Sequence, residues 1–367
     1  MRYPRLDVLR AAAIFAVFWH HVIYHALSER GLSGAVLRGN WQLPGGSGNI
    51  GDWCSFAIGQ YGGWGVALFF VISGFCIHLS FLKWQASASE RGFWRPYFVR
   101  RFFRIYPPYL FALGLACLPL LRAGTGPDAN EFWTHVFMVH NLRADTLFGI
   151  NPSFWSLAVE WQLYLVYPFF LLLCRRWGIG KFLLVVAVAD ISLRALGVPE
   201  TSKEGWLFSQ LPFFYWLTWG AGAWCAERAW SGQPLFPGER LVALALFVAA
   251  VLTKVYQPLT WLSAPLVSAA FALLCDVYGR RSGALSVSER IAVPLGVVSY
   301  SFYLIHQPII VQLFPRLEAR LFGGNVWLTA TIGGLLMFTV IFVLSAIMYR
   351  WVEQRSNEVG HRLAIRG

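Results

Sequence analysis

The segment RYPRLDVLRAAAIFAVFWHHVIYHAL keeps Arg10, His20, His21 and His25 inside an otherwise apolar run. At 1.5 Å per residue, Leu9 to Leu27 is long enough to cross a bilayer core of about 30 Å. An ionisable group in hydrocarbon costs on the order of 2.5 kcal/mol or more, so such residues usually line a polar interior and serve a function. Arg10 and His21 stand eleven positions apart and return to within roughly 20° of one direction, three turns along a helix. Asp7 and His25 extend that face at its two ends.

Three further groups could do chemistry. In RPYFVRRFFRIYPPYL, Arg101 and Arg104 share a helical face, with Arg100 beside them and Pro107 and Pro108 close behind. Closely spaced guanidinium groups make bidentate, charge-assisted bonds to phosphate, which points to a phosphate-bearing anion; topology alone also favours a basic cluster before a span. In NPSFWSLAVEWQLYLVYP, Glu160 lies about two turns into an apolar segment, with Asn151, Ser153, Ser156 and Gln162 around it. A carboxylate there needs a histidine, an arginine or a substrate hydroxyl, or else forms an ion pair that fixes helix packing. In SYSFYLIHQPII, His306 precedes Pro308, which cannot donate to the carbonyl of Leu304 and so loosens the helix beside the imidazole. That makes either a polar notch or a satisfied packing residue.

Composition dictates the elements that must hold these groups. The chain is 57% hydrophobic and 13% charged, with mean hydropathy +0.53. A soluble domain carries about twice that charged fraction. An all-α, polytopic membrane helix bundle of about ten transmembrane helices is expected, near 7–27, 62–82, 103–121, 154–174, 182–198, 211–227, 241–255, 260–278, 291–314 and 326–350. The run 132–142 is too short to span comfortably and reads as a helix lying in or dipping into one face. With both termini cytoplasmic, twenty of the 30 Lys and Arg residues fall on the inner side and eight on the outer, as orientation in a membrane requires. The net charge of +12 is therefore a topological signal, and no nucleic-acid partner is expected. The first segment lacks a cleavage site and stays as a helix. A single membrane-embedded domain over 1–367 is expected.

The remaining features are weaker. The six cysteines show neither metal-ligand spacing nor a disulfide framework, so no metal is expected. Ser73 and Gly74 mark a close helix approach, and His78 in the same helix has no evident partner. The loop 28–63, with Trp41, Asp52 and Trp53, suits either sugar stacking or an interfacial aromatic belt.

Read in order, LDVLRAAAIFAVFWHH, ALFFVISGFCI, VRRFFRIYPPYL, FWSLAVEWQLYLVYP and SYSFYLIHQPI resemble the acyltransferase-3 family of integral membrane O-acyltransferases. The resemblance implies transfer of an acyl group, usually acetyl from cytoplasmic acetyl-CoA as co-substrate, to a hydroxyl of a carbohydrate or glycolipid such as O-antigen or exopolysaccharide. It implies a multi-pass protein of the bacterial cytoplasmic membrane that touches acyl-CoA, the acceptor and membrane lipids, with no bound cofactor. The family's arginine and histidine fall on Arg10 and His21, its paired arginines on Arg101 and Arg104, and its glutamate on Glu160. The extra histidine, His20, faces about 100° away from His21.

On that footing, Arg101 and Arg104 clamp the CoA phosphates, His21 is the general base, and Glu160 orients the histidine or holds the sugar. Arg10 stands three turns, roughly 16 Å, below His21. Asp7, His306, Ser153 and Trp155 are candidates for acceptor binding or support. Transfer is expected to be completed within the membrane domain. A small secondary metabolite such as a macrolide is an alternative acceptor, and a proton-coupled transporter is the alternative class.

Overall fold

The computed structural model of the chain describes residues 3–28, 59, 61–87, 92–196, 203–234, 237–323 and 326–365. All regular elements among the described residues are helices. Backbone polar groups in hydrocarbon must be satisfied within their own segment, and apolar runs therefore close into helices. The elements are α1 (Pro4–Ser28), α2 (Trp64–Ala86), α3 (Trp94–Arg122), α4 (Ala129–Val136), α5 (Trp155–Trp177), α6 (Ile179–Ala195) and α7 (Lys203–Ser209). They continue with α8 (Trp216–Trp230), α9 (Glu239–Val255), α10 (Thr260–Arg280), α11 (Val287–Val297) and α12 (Ser299–Leu321). The last, α13 (Thr329–Ile365), contains two π-helical stretches.

Six of these segments are long and apolar enough to cross a membrane, seven if α11 and α12 count as one bent span. The chain is an integral membrane protein by that criterion. Helices occupy all ten expected places, but α6, α8 and α9 have 17, 15 and 17 residues, fewer than the roughly 20 that a perpendicular crossing needs. The expected span 291–314 is broken: α11 and α12 meet at 67°. The bend lies at Val298, where Gly296 brings α11 against the Asp7 carbonyl of α1, whereas α12 runs on through Pro308. The run 132–142 forms the eight-residue α4 and a single 3-10 turn at His140–Leu142. Eight residues rise only about 12 Å, so α4 does not span. Trp41, Asp52 and Trp53 lie outside the described residues.

Helix α1 is the hub of the site, packing on α2, α11 and α12. Its N-terminus is tied down by Arg5, which donates to Glu289 and to the carbonyls of Arg281, Gly283 and Ala284. Glu289 also closes a capping box with Ser286 at the start of α11, so one carboxylate fixes two elements.

Helices α2 and α8 cross at glycines on both sides. A Cβ on Gly74 would overlap the Trp219 carbonyl oxygen, and one on Gly222 the Val71 carbonyl oxygen. Small residues let the two backbones touch, and Trp219 Nε1 then donates to Ser73 Oγ at 3.4 Å. Gly74→Val is expected to force the pair apart and lower stability by about 1–3 kcal/mol, read as a lower thermal midpoint in detergent. Gly114→Ala, whose new methyl meets nothing within 4 Å, should leave the midpoint unchanged or raise it.

Candidate active site

A cavity of about 210 Å³ is walled by Arg10 of α1, Arg101 and Arg104 of α3, Glu160 and Tyr164 of α5, and Tyr303 of α12. Four charged residues from three separate helices thus meet around one space. Arg10 donates to Asp7 Oδ1 at 2.8 Å and to Cys76 Sγ at 3.3 Å. Glu160 accepts from the Tyr164 hydroxyl, and Tyr164 lies one helical turn along the same face of α5. The Arg101 guanidinium stands 5.7 Å from the Tyr164 ring centre, and its buried Nε has no hydrogen-bond partner among the described residues. Neither Arg101 nor Arg104 forms an ion pair among the described residues. Two guanidinium groups with unused donors on a cavity wall are arranged to receive an anion.

His21 is not in that wall. Its Nδ1 is 2.9 Å from the Val17 carbonyl and 3.3 Å from His306 Nε2, with ring centres 4.9 Å apart. His20 turns away, its Nδ1 engaged by the Gly59 carbonyl. Tyr303 links the two sites: it lines the cavity, and its ring centre is 5.3 Å from that of His306. The Tyr303 hydroxyl donates to the Ser153 carbonyl at 2.9 Å and so accepts from Ser156 Oγ at 2.6 Å.

Other residues singled out in the sequence are placed less directly. Glu160 is bonded to Tyr164 and makes no bond to His21; the ring beside His21 is His306. Ser153 Oγ donates to Gln307 Oε1, and Trp155 packs on Tyr215 with ring centres 5.6 Å apart, both outside the cavity wall. Asp7 serves Arg10. The carbonyl of Leu304, left without its helical donor by Pro308, lies 3.5 Å from Asn151 Nδ2. His78 is fully partnered, by the Tyr167 hydroxyl at 3.0 Å and Glu227 at 3.2 Å. Tyr164 and Tyr303 were not anticipated, although their spacings from Glu160 and His306 place them one turn away.

The sequence reading also passed over two histidines in 132–142. His135 and His140 stack with ring centres 4.0 Å apart and planes within 5°, both fully buried.

The chain belongs to the acyltransferase-3 family, matching its acyltransferase domain over residues 3–346. It is 28% identical over 390 residues to Acyltransferase MdmB of Streptomyces mycarofaciens, covering 96% of this chain and 91% of that protein. It is 25% identical over 389 residues to Peptidoglycan O-acetyltransferase OatA of Listeria monocytogenes, covering 95% of this chain but 55% of OatA. The chain therefore spans about half the length of that second relative. Nodulation protein 10 of Rhizobium leguminosarum bv. viciae is 32% identical over 146 residues, 35% of this chain and 38% of that one. No solved structure matches the chain.

The histidine stack has a consequence for pH. Burial, reinforced by the neighbouring His135, pushes His140 down to about 3, and burial also lowers His135. Released by unfolding, both rings take up protons near about 6.5, so their neutral packing is unpenalised above that pH. Below it, stability falls by up to about 1.4 kcal/mol per pH unit for each ring until its folded value is reached. The thermal midpoint is expected to drop between about pH 7 and about pH 5, less steeply in His140→Gln. Equal slopes in the two proteins would show that this ring is not a source of the loss.

Proposed function

We propose that the protein transfers an acetyl group from acetyl-CoA to a hydroxyl of a cell-surface carbohydrate or glycolipid at the bacterial cytoplasmic membrane. The observation that carries this reading is the cavity in which Arg101 and Arg104, free of ion pairs among the described residues, face Glu160 and Arg10. The name of the OatA relative, a peptidoglycan O-acetyltransferase, favours a carbohydrate acceptor. With about ten crossings and both termini in the cytoplasm, Arg101 and Arg104 sit at the cytoplasmic mouth of α3, where the donor enters.

In this mechanism the two guanidinium groups bind the CoA phosphates, leaving the thioester to run inward past Arg10 toward Tyr303. His21 removes the proton of the acceptor hydroxyl as its oxygen attacks the thioester carbonyl. The tetrahedral oxyanion then collapses, forming the ester and expelling the CoA thiolate, which takes the proton from the His21 imidazolium. The hydroxyls nearest the histidines on the cavity wall are those of Ser156 and Tyr303, and each would donate to the oxyanion only by giving up the hydrogen bond it makes in the structure. Arg10 is roughly 16 Å down the helix from His21 and acts on the donor instead. Glu160, held by Tyr164, keeps the cavity from being uniformly cationic, which helps a polyanionic product to leave.

The test is thiol release from acetyl-CoA by the protein in lipid, with a surface-glycan fraction as acceptor. His21→Ala is expected to lose about 10²- to 10⁴-fold in rate, and His20→Ala to keep most of it. Arg101→Gln and Arg104→Gln should each raise KM for acetyl-CoA by about 10- to 100-fold, the worth of a hydrogen bond to a charged group. Unchanged release in His21→Ala would remove it as the base, and unchanged KM in both arginine variants would move the donor elsewhere. A transporter would release no thiol at all.

A further inference from the structure

We infer that His306 is the positioning residue for the base, fixing the tautomer of His21 so that Nε2 is the nitrogen free to accept a proton. The inference rests on the reading of His21 as that base. His306 Nδ1 lies 2.7 Å from the Tyr303 carbonyl. A carbonyl oxygen only accepts, so Nδ1 of His306 carries the hydrogen and Nε2 of the neutral ring presents a lone pair. That lone pair faces His21 Nδ1 at 3.3 Å. On its other side, His21 Nδ1 faces the Val17 carbonyl at 2.9 Å. With acceptors on both sides, Nδ1 of His21 must carry its hydrogen, and the other tautomer would set three lone-pair-bearing atoms against one another.

The consequence is chemical. In neutral His21 the proton is on Nδ1, so the available base is Nε2, to which no described residue is bonded. Once Nε2 has taken the acceptor's proton, the positive ring donates through Nδ1 to two acceptors already in place. This is the office that aspartate performs for histidine in serine hydrolases, carried out here by a neutral imidazole. Among the described residues no carboxylate bonds to either ring. The other titratable groups nearby are His20, held by the Gly59 carbonyl, His25 one turn further along α1, and Tyr303 on α12. Without a carboxylate the imidazolium is only weakly stabilised, which keeps it ready to return the proton to the leaving thiolate.

His306 is itself held in place. It is fully buried, and the next residue, Gln307, accepts from Ser153 Oγ. Asn151 Nδ2 approaches the Leu304 carbonyl that Pro308 leaves free. The 151–153 segment therefore fixes the rotation of α12 at the level of the imidazole.

The test uses the full chain in lipid, with kcat and KM for acetyl-CoA measured by thiol release. His306→Gln reaches about as far as the imidazole Nε2 and keeps an acceptor facing His21; His306→Leu fills similar space with none. His306→Leu is expected to lose about 10²-fold in kcat with KM within about twofold, and His306→Gln to stay within about tenfold of wild type. His306→Asn, polar but one methylene too short to reach His21, should behave like Leu and serves where Leu does not fold. Wild-type kcat in His306→Leu or His306→Asn overturns the inference. So does equal loss in Gln, Leu and Asn with unchanged thermal midpoints, because His306 would then handle the proton itself. His21→Ala is measured alongside: if it keeps the wild-type rate, the assignment of the base fails, whereas loss there with an indifferent His306 removes only the positioning role.

Discussion

A charged or polar side chain among apolar helices is tolerable only where a partner faces it, and α1 sets that problem repeatedly along its length. Each solution comes from a different place. Arg5 is met by Glu289 and three carbonyls of 281–284, Arg10 by Asp7 and Cys76, His20 by the Gly59 carbonyl, and His21 by Val17 and His306. Meeting all of these at once requires α1 to sit at one depth and one rotation against α2, α11 and α12. The close approach of Gly296 to the Asp7 carbonyl, and of Gly65 to the Ala13 carbonyl, supplies the contact that holds it there. The rest of the bundle is arranged around a helix that cannot slide.

The placement divides the chemistry along the length of α1. Guanidinium groups collect around the cavity near the first turns of α3, whereas the histidine pair lies beyond Tyr303. Keeping them apart has an electrostatic basis. In a low-dielectric interior an arginine beside the imidazole would oppose its protonation far more strongly than in water. In the proposed reaction a thioester donor would connect the two sites, because its anionic end and its reacting carbonyl are far apart.

Polar residues that touch neither site are used to hold the elements that do. Asn141 and Gln162 exchange amide hydrogen bonds at 3.1 and 2.7 Å, and Gln162 also donates to the Met138 carbonyl. Met138 adopts φ +54°, a strained backbone for a bulky side chain, which the Gln162 bond and its burial hold in place. The π-helical stretch Tyr349–Glu353 ends on buried Glu353, which accepts from Ser301 Oγ at 2.6 Å. Ser301 lies between the α12 residues Tyr300 and Tyr303 that line the cavity, so the last helix also contributes to the shape of the site.

How much of this was legible depended on distance along the chain. Helical class, the common face of Arg10 and His21, and the pairing of Arg101 with Arg104 follow from 3.6 residues per turn and could be read directly. Tyr164 beside Glu160 obeys the same local rule and was equally readable. The break at Val298, the short α6, α8 and α9, and the exclusion of Ser153 and Trp155 from the cavity wall were not. Nor was the contact of His21 with His306, 285 positions away. Local periodicity says which residues share a face but not which neighbour that face will meet. That is decided when glycine-lined surfaces bring particular backbones together, and here it decided that a histidine, and not Glu160, stands beside His21.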